Sequence, residues 1–271
     1  MIIVNGVAND VLNAHDRGLA YGDGVFRTFP MCGGKPLHWR RQYAKLAADC
    51  AALCIVCPSI DAFERDLAAI ALIDSDCVIK IVVTRGGGPR GYAIPAAAAP
   101  TRVLVSSALP EYPQHYFERG VHARLCRLRL AAQPALAGIK HLNRLENVLA
   151  RTEWNDPGIA EGLLCDTGGS VICGTMSNLF LVKDGELMTP DLTGCGVAGV
   201  TRERVIELAR ENGISVRIAS ISIDELLSAD ELFLTNSVIG VWQIAAIDRK
   251  TWGPGRLTAK IRHGLDHVKG R

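Results

Sequence analysis

The stretch from Val121 to Trp154, VHARLCRLRLAAQPALAGIKHLNRLENVLARTEW, decides the fold class. In its first ten residues Val121, Ala123, Leu125, Arg127 and Arg129 alternate with the other face, which reads as a strand. A loop follows. In GIKHLNRLENVLARTEW, Leu142, Leu145, Val148 and Leu149 recur at helical spacing, and Lys140 sits at the mouth of the predicted helix. The exchange of strand for helix continues in both directions. Towards the N-terminus, strands are expected at 2–5, on either side of Gly33 and Gly34, and at the β-branched runs 77–84 and 102–107. Helices are expected over 37–54 and 60–73, and the glycine-rich RGGGPRGY reads as a loop. Towards the C-terminus, strands are predicted at 162–166, 179–182, 215–221 and 231–235. One helix runs from Thr201 to Asn212, closed by Gly213, and a last one covers 257–267. No repeats interrupt the series, so the class is α+β (mixed α/β). Pro110 and Pro113 suit a linker. The reading is therefore a smaller N-terminal α/β domain over 1–108, a linker at 109–117 and a larger C-terminal domain over 118–271.

Composition excludes several classes of function. The 271 residues are 48% apolar, enough for two medium cores, and the formal net charge is only +2. No basic run marks a nucleic-acid footprint, so no such partner is expected. The opening MIIVNGVANDV lacks a basic segment followed by a long apolar one, and no stretch approaches a membrane span. A soluble, untargeted, cytoplasmic protein is expected. The nine cysteines are an odd number scattered through apolar settings such as Cys54, Cys126 and Cys165, which reads as reduced thiols. Cys54 and Cys57 form a CxxC, but no second pair accompanies it and Ile55 and Val56 look like core. No metal site is predicted.

Three segments have the chemistry to hold a ligand. Gly86, Gly88 and Gly91 match GxGxxG, yet Tyr92, Ile94 and Pro95 follow where a dinucleotide site needs a helix, so the match is rejected. The same loop offers Arg90 and Tyr92, a planar cation and a hydroxyl suited to a carboxylate, or else is a solvated hairpin tip. In GVAGVTRERVIELARENG, Gly196 and Gly199 lead to Thr201 and a helix whose first N–H groups can hold an anion; simple N-capping by Thr201 is the alternative. Thr235, Asn236 and Ser237 end an apolar strand, as a ligand-binding cluster or a plain turn. Lysines are scarce, 8 against 22 arginines. A desolvated lysine becomes a nucleophile. Lys140, after the apolar ALAGI, fits that need, and Lys80, between Ile79 and Ile81, is its rival.

The segments LAYGDGVFRT, VTRGGGPRGY, LAGIKHLNRLENVLAR, VICGTMSNLFLV, GVAGVTRERVIELA and ELFLTNSV stand in the order, and nearly at the spacing, of the aminodeoxychorismate lyases. The chain resembles that family over almost its whole length, and KHLNRLENVLAR separates it from the related branched-chain and D-amino-acid aminotransferases. The resemblance implies a fold type IV pyridoxal-phosphate architecture of two domains, a homodimer, and conversion of 4-amino-4-deoxychorismate to 4-aminobenzoate and pyruvate. It implies Lys140 as the Schiff-base lysine and general base. Val200 and Thr201 would hold the phosphate, with Asn236 and Ser237 nearby and Lys45 where the family usually has arginine. Arg90 and Tyr92 would meet a substrate carboxylate. His38 is a further candidate contact, with a surface histidine as its alternative. An aminotransferase on the same fold and a non-catalytic binder of the cofactor are the other readings.

One position departs from the family. Where relatives carry a glutamate that keeps the cofactor's pyridine nitrogen protonated, this chain has Cys173. A thiol is a weak partner at that place, so the electron sink is expected to weaken. A transaminase depends on that sink. A lyase that forms an aromatic product has a second driving force and tolerates the change better.

Overall fold

In a computed structural model, residues 1–265 are described. The chain separates into two compact units, Met1–Pro110 with Ile139–Asn143, and Glu111–Gly138 with Arg144 onwards. The segment that carries Lys140 is thus built into the first unit.

In the first unit, β1 (Ile2–Val4), β2 (Val7–Ala8), α1 (Arg17–Tyr21), β3 (Gly24–Cys32) and β4 (Lys35–Pro36) are followed by α2 (Trp39–Ala52), α3 (Ile60–Ala71), β5 (Cys77–Thr84) and β6 (Thr101–Ala108). Six strands form one sheet in the order β2-β1-β6-β5-β3-β4. Alternation along β3 and β5 sends Val25, Phe29, Met31, Ile79, Ile81 and Val83 into one core with Leu46 and Cys50 of α2 and Phe63, Leu67 and Ile70 of α3. Phe26, Thr28 and Lys80 consequently belong to the opposite face. The CxxC divides: Ile55 is core, whereas Val56 and Cys54 are exposed. Arg85 binds the Leu53 and Cys54 carbonyls, so the end of α2 turns outward there and Cys54 is not in an apolar setting.

The second unit contains α4 (His115–Glu118), β7 (Val121–Leu130), α5 (Leu145–Arg151), β8 (Ile159–Asp166), β9 (Val171–Gly174), β10 (Asn178–Lys183) and β11 (Glu186–Pro190). It continues with α6 (Val200–Glu211), β12 (Val216–Ala219), α7 (Ile223–Leu227), β13 (Glu231–Asn236), β14 (Gly240–Ile247), β15 (Lys250–Thr251) and α8 (Arg256–Gly264). The predicted end of the last helix, residues 266–267, lies outside the described residues. Nine strands run in the order β12-β11-β10-β13-β14-β7-β8-β9, with β15 on β14, and β9 also pairs with β10. The path from β10 through β13, β14, β7, β8 and β9 therefore returns to β10. Its closing contact is a single pair, Asn178 opposite Cys173.

One expectation from periodicity is corrected. The helix after Lys140 starts only at Leu145, because residues 139–143 are drawn into extended pairing with β3. The apolar positions of α5 do not form core: Leu145 is 74% exposed and Val148 and Leu149 are each 57% exposed.

Candidate functional site

The lysine face of the first unit is made by residues 139–143 lying antiparallel along Gly22–Phe26. Phe26 N donates to Lys140 O at 2.9 Å, Leu142 N to Gly24 O at 3.0 Å, and Val25 bridges His141. The two glycines of YGDGVF allow this approach: a Cβ at Gly22 would lie 2.3 Å from Asn143 Oδ1, and one at Gly24 2.8 Å from Leu142 Cδ1. Alternation then decides where the lysine goes. Ile139 joins the core under α2 and α3, which turns Lys140 to the opposite face. Its Nζ lies 4.4 Å from the Phe26 ring centroid, and Lys80 Nζ lies 5.3 Å from the same centroid. The two lysines weighed from sequence thus share one aromatic ring. The Lys140 backbone N–H donates to Asp49 Oδ2 at 3.1 Å, and Asp49 is itself ion-paired with buried Arg27. Lys45 stands one turn before Asp49 on α2, half-buried. His38 precedes that helix at φ 53°, its carbonyl accepting from Arg41 N and Gln42 N.

The loop with Arg90 and Tyr92 is fastened by residues whose role was not read from sequence. Arg85 grips Asp23 in bidentate fashion, Nε to Oδ2 at 2.8 Å and Nη2 to Oδ1 at 2.9 Å, and Arg17 Nε reaches the same Oδ2 at 2.8 Å. Burial pushes the Asp23 carboxyl up, but the hydrogen bonds and charges of Arg85 and Arg17 outweigh it and hold the group below the usual carboxylate range. Arg17 also donates to Gly91 O at 2.8 Å and Tyr92 O at 3.4 Å, while Gly91 N donates to Tyr21 Oη at 3.0 Å. Arg90 and Tyr92 are exposed, the tyrosine ring 5.4 Å from that of Tyr21. No hydrogen bond among the described residues joins either side chain to Lys140.

In the second unit, an anion cradle forms at the start of α6. The N-cap is Gly199 rather than Thr201, and it supplies no side-chain cap. The first N–H groups of the helix therefore lack the bond that a capping hydroxyl would make. A Cβ at Gly199 would meet Asn178 Oδ1 at 2.4 Å. Thr201 Oγ1 lies 3.3 Å from Ser237 Oγ, and the wholly buried Thr235 Oγ1 has no partner. N–H groups and three hydroxyls at the positive end of a helix suit a phosphate-sized anion. Asn236 supports the turn: its Oδ1 accepts from Val238 N at 2.8 Å and Ile239 N at 2.9 Å, and its Nδ2 donates to Met176 O at 3.1 Å.

Cys173 lies on β9, buried among Cys126, Ile172, Leu192 and Cys195. A carboxylate in the same unit, Glu161, is already committed. It is 1% exposed and accepts from Gly162 N, Thr175 N and Oγ1, Met176 N and Ser177 Oγ. It fixes the loop between Cys173 and Asn178. Sequence reading passed over Glu161, a single polar residue within a strand, Asp49, one charged residue among several on α2, and Phe26, one apolar residue among several on β3, because none of them carries a local pattern. Among the described residues, no group of three or more His, Cys, Asp or Glu has the arrangement to hold a metal ion.

Comparison with known proteins gives these features their context. An aminodeoxychorismate lyase of Vibrio harveyi is 35% identical over 98% of this chain and 100% of its own length. The crystal structure of 4-amino-4-deoxychorismate lyase from Pseudomonas aeruginosa superposes with a TM-score of 0.95, at 46% identity and 98% coverage of both chains. A branched-chain amino acid aminotransferase from Escherichia coli superposes at 0.83, with 26% identity over 98% of this chain and 94% of that one. The pattern of the amino-transferase class IV family matches residues 24–247, a span that takes in Lys140, Glu161 and the α6 cradle, and the chain belongs to that family.

Proposed function

We propose that this chain is a pyridoxal-phosphate-dependent lyase that converts 4-amino-4-deoxychorismate to 4-aminobenzoate and pyruvate. The observation that carries the reading is Lys140, held by backbone bonds to Phe26 and Asp49 with its amine over an aromatic ring. The resemblance to two lyases over nearly the whole chain supports the reaction. The donors at α6 fit the cofactor's phosphate: Val200 and Thr201 offer N–H groups, Thr201 and Ser237 offer hydroxyls, and Thr235 Oγ1 would gain a partner. Lys45 adds a positive charge, and Asn236 keeps the turn that bears Ser237.

When bound, pyridoxal phosphate supplies an electron sink for the pair left by a broken C–H bond beside the substrate amine. Lys140, as a neutral amine, removes the proton from the amine-bearing ring carbon, a contribution of roughly 10² to 10⁴ in rate. Arg90 and Tyr92 orient the substrate through a carboxylate, with His38 as a further contact. Cys173 would be the ring nitrogen's partner, weaker than a carboxylate, which release of an aromatic product would make tolerable. In Lys140→Ala the visible absorption of the lysine-bound cofactor should vanish, and pyruvate release should fall by at least about 10²-fold. Full turnover in that variant would refute the assignment. The likeness to an aminotransferase favours a second reading, which requires an added keto acid for turnover; a non-catalytic binder would be coloured and release no pyruvate.

The exposed apolar side of α5 supports a homodimer, in which Leu145, Val148 and Leu149 would be covered by a second copy. A cytoplasmic location is supported by nine cysteines without a disulfide. No described helix is long and apolar enough to cross a membrane.

A further inference from the structure

The first turn of α6 contains a buried cation that makes no direct ion pair with a described carboxylate. Arg202 is 7% exposed. Its Nε donates to Thr189 Oγ1 at 3.2 Å and its Nη2 to Pro190 O at 3.0 Å, both neutral acceptors. Burial pulls its proton affinity down, with Glu203 and Asp191 acting only partly against it. A buried guanidinium with only neutral direct partners is costly, even with Glu203 and Asp191 acting from a distance, and the N-terminal turn is where a helix dipole least favours a positive charge. Tying α6 to β11 would need only a neutral donor. What distinguishes an arginine here is its charge, and the adjacent residue is Thr201, whose hydroxyl, with those of Ser237 and unpartnered Thr235, forms the anion cradle.

We propose that Arg202 is the buried counter-charge of the cofactor's phosphate, acting through space from behind the first turn of α6 and making no bond to it. The inference rests on the reading that the phosphate sits at Val200 and Thr201. A dianion there adds to the opposite charge that Glu203 and Asp191 supply only in part, and the arginine gives the dianion an attraction that outlasts solvent screening because the guanidinium is dry. Arg202 is in this sense a positioning residue, and it raises affinity for the phosphorylated form of the cofactor specifically.

The test compares pyridoxal 5'-phosphate with pyridoxal, which lacks the phosphate, on protein stripped of cofactor, using inorganic phosphate as competitor. In the wild type, inorganic phosphate should compete and the phosphorylated form should bind far more tightly. Arg202→Gln should reduce that preference about tenfold while leaving pyridoxal affinity unchanged, and Arg202→Lys should restore most of it. Thr189→Val removes one of the two bonds that hold Arg202 but keeps the charge, so it should retain the wild-type preference, and it carries the test if Arg202→Gln does not fold. Equal loss of both ligands in Arg202→Gln, no loss of either, or a Thr189→Val variant that loses the preference would overturn the proposal. A wild type with no preference and no competition by phosphate would instead overturn the phosphate reading on which it stands.

Discussion

Asp23 keeps its charge because two guanidinium groups face it, and that has a measurable signature. Its carboxyl is held below the ordinary range, so its contribution to stability is complete above the ordinary carboxylate pKa and is lost as pH falls through the depressed value. Asp23→Asn should lower unfolding free energy by roughly 2 kcal/mol at neutral pH, since it strands Arg17 and Arg85. Urea titrations of variant and wild type should converge in acid, and a constant gap would exclude the charge explanation. At Cys173 the expectation is chemical: Cys173→Glu should shift the cofactor's visible spectrum and raise turnover, and no change in either would show that residue 173 does not tune the ring. The residue scale was also where sequence was least legible. Lys140 and Thr201 stood out by context, whereas Asp49 and Glu161 matter because of partners far along the chain: Lys140, 91 residues away, for Asp49, and the loop of Ser177, 16 residues away, for Glu161.

Elements were read well wherever the pattern had one cause. Cys77–Thr84 is the strand its β-branched run announced, and Gly213 closes α6 at φ 70°. Errors arose where pairing competed with periodicity. Residues 139–143 continue the leucine spacing of a helix but gain backbone partners in β3. The visible trace of this in the sequence was a pair of glycines more than a hundred residues earlier. The cap of α6 moved from Thr201 to Gly199 for a related reason, since a side chain at 199 would strike Asn178. Gly199→Ala should therefore displace either the helix start or Asn178. Cofactor retention during dialysis should weaken about tenfold, equivalent to 1.4 kcal/mol, with the fold intact by circular dichroism. Unchanged retention would mean that the start of α6 is not the phosphate site.

For the whole molecule, α+β organisation followed from the order of patterns, but the reading by sequence order put Lys140 in the domain over 118–271, whereas residues 139–143 group with the first unit. The α5 side chains pose the corresponding question about assembly. Burying Leu145, Val148 and Leu149 against a second copy would recover about 1.5 kcal/mol or more for each. Leu145→Glu should then shift sedimentation from dimer to monomer at micromolar concentration, and an unaltered dimer would place the interface elsewhere.

The circuit of six strands in the second unit is closed by one ladder pair, Asn178 and Cys173, backed by the Gly174 N to Ser177 O bond and by the bonds of Glu161 to the turn between them. A ladder shut by one rung has its weakest seam there, and local opening starts where few bonds must break together. The backbone of residue 173 thus belongs to the seam that closes the sheet, so local opening there would carry its side chain with it.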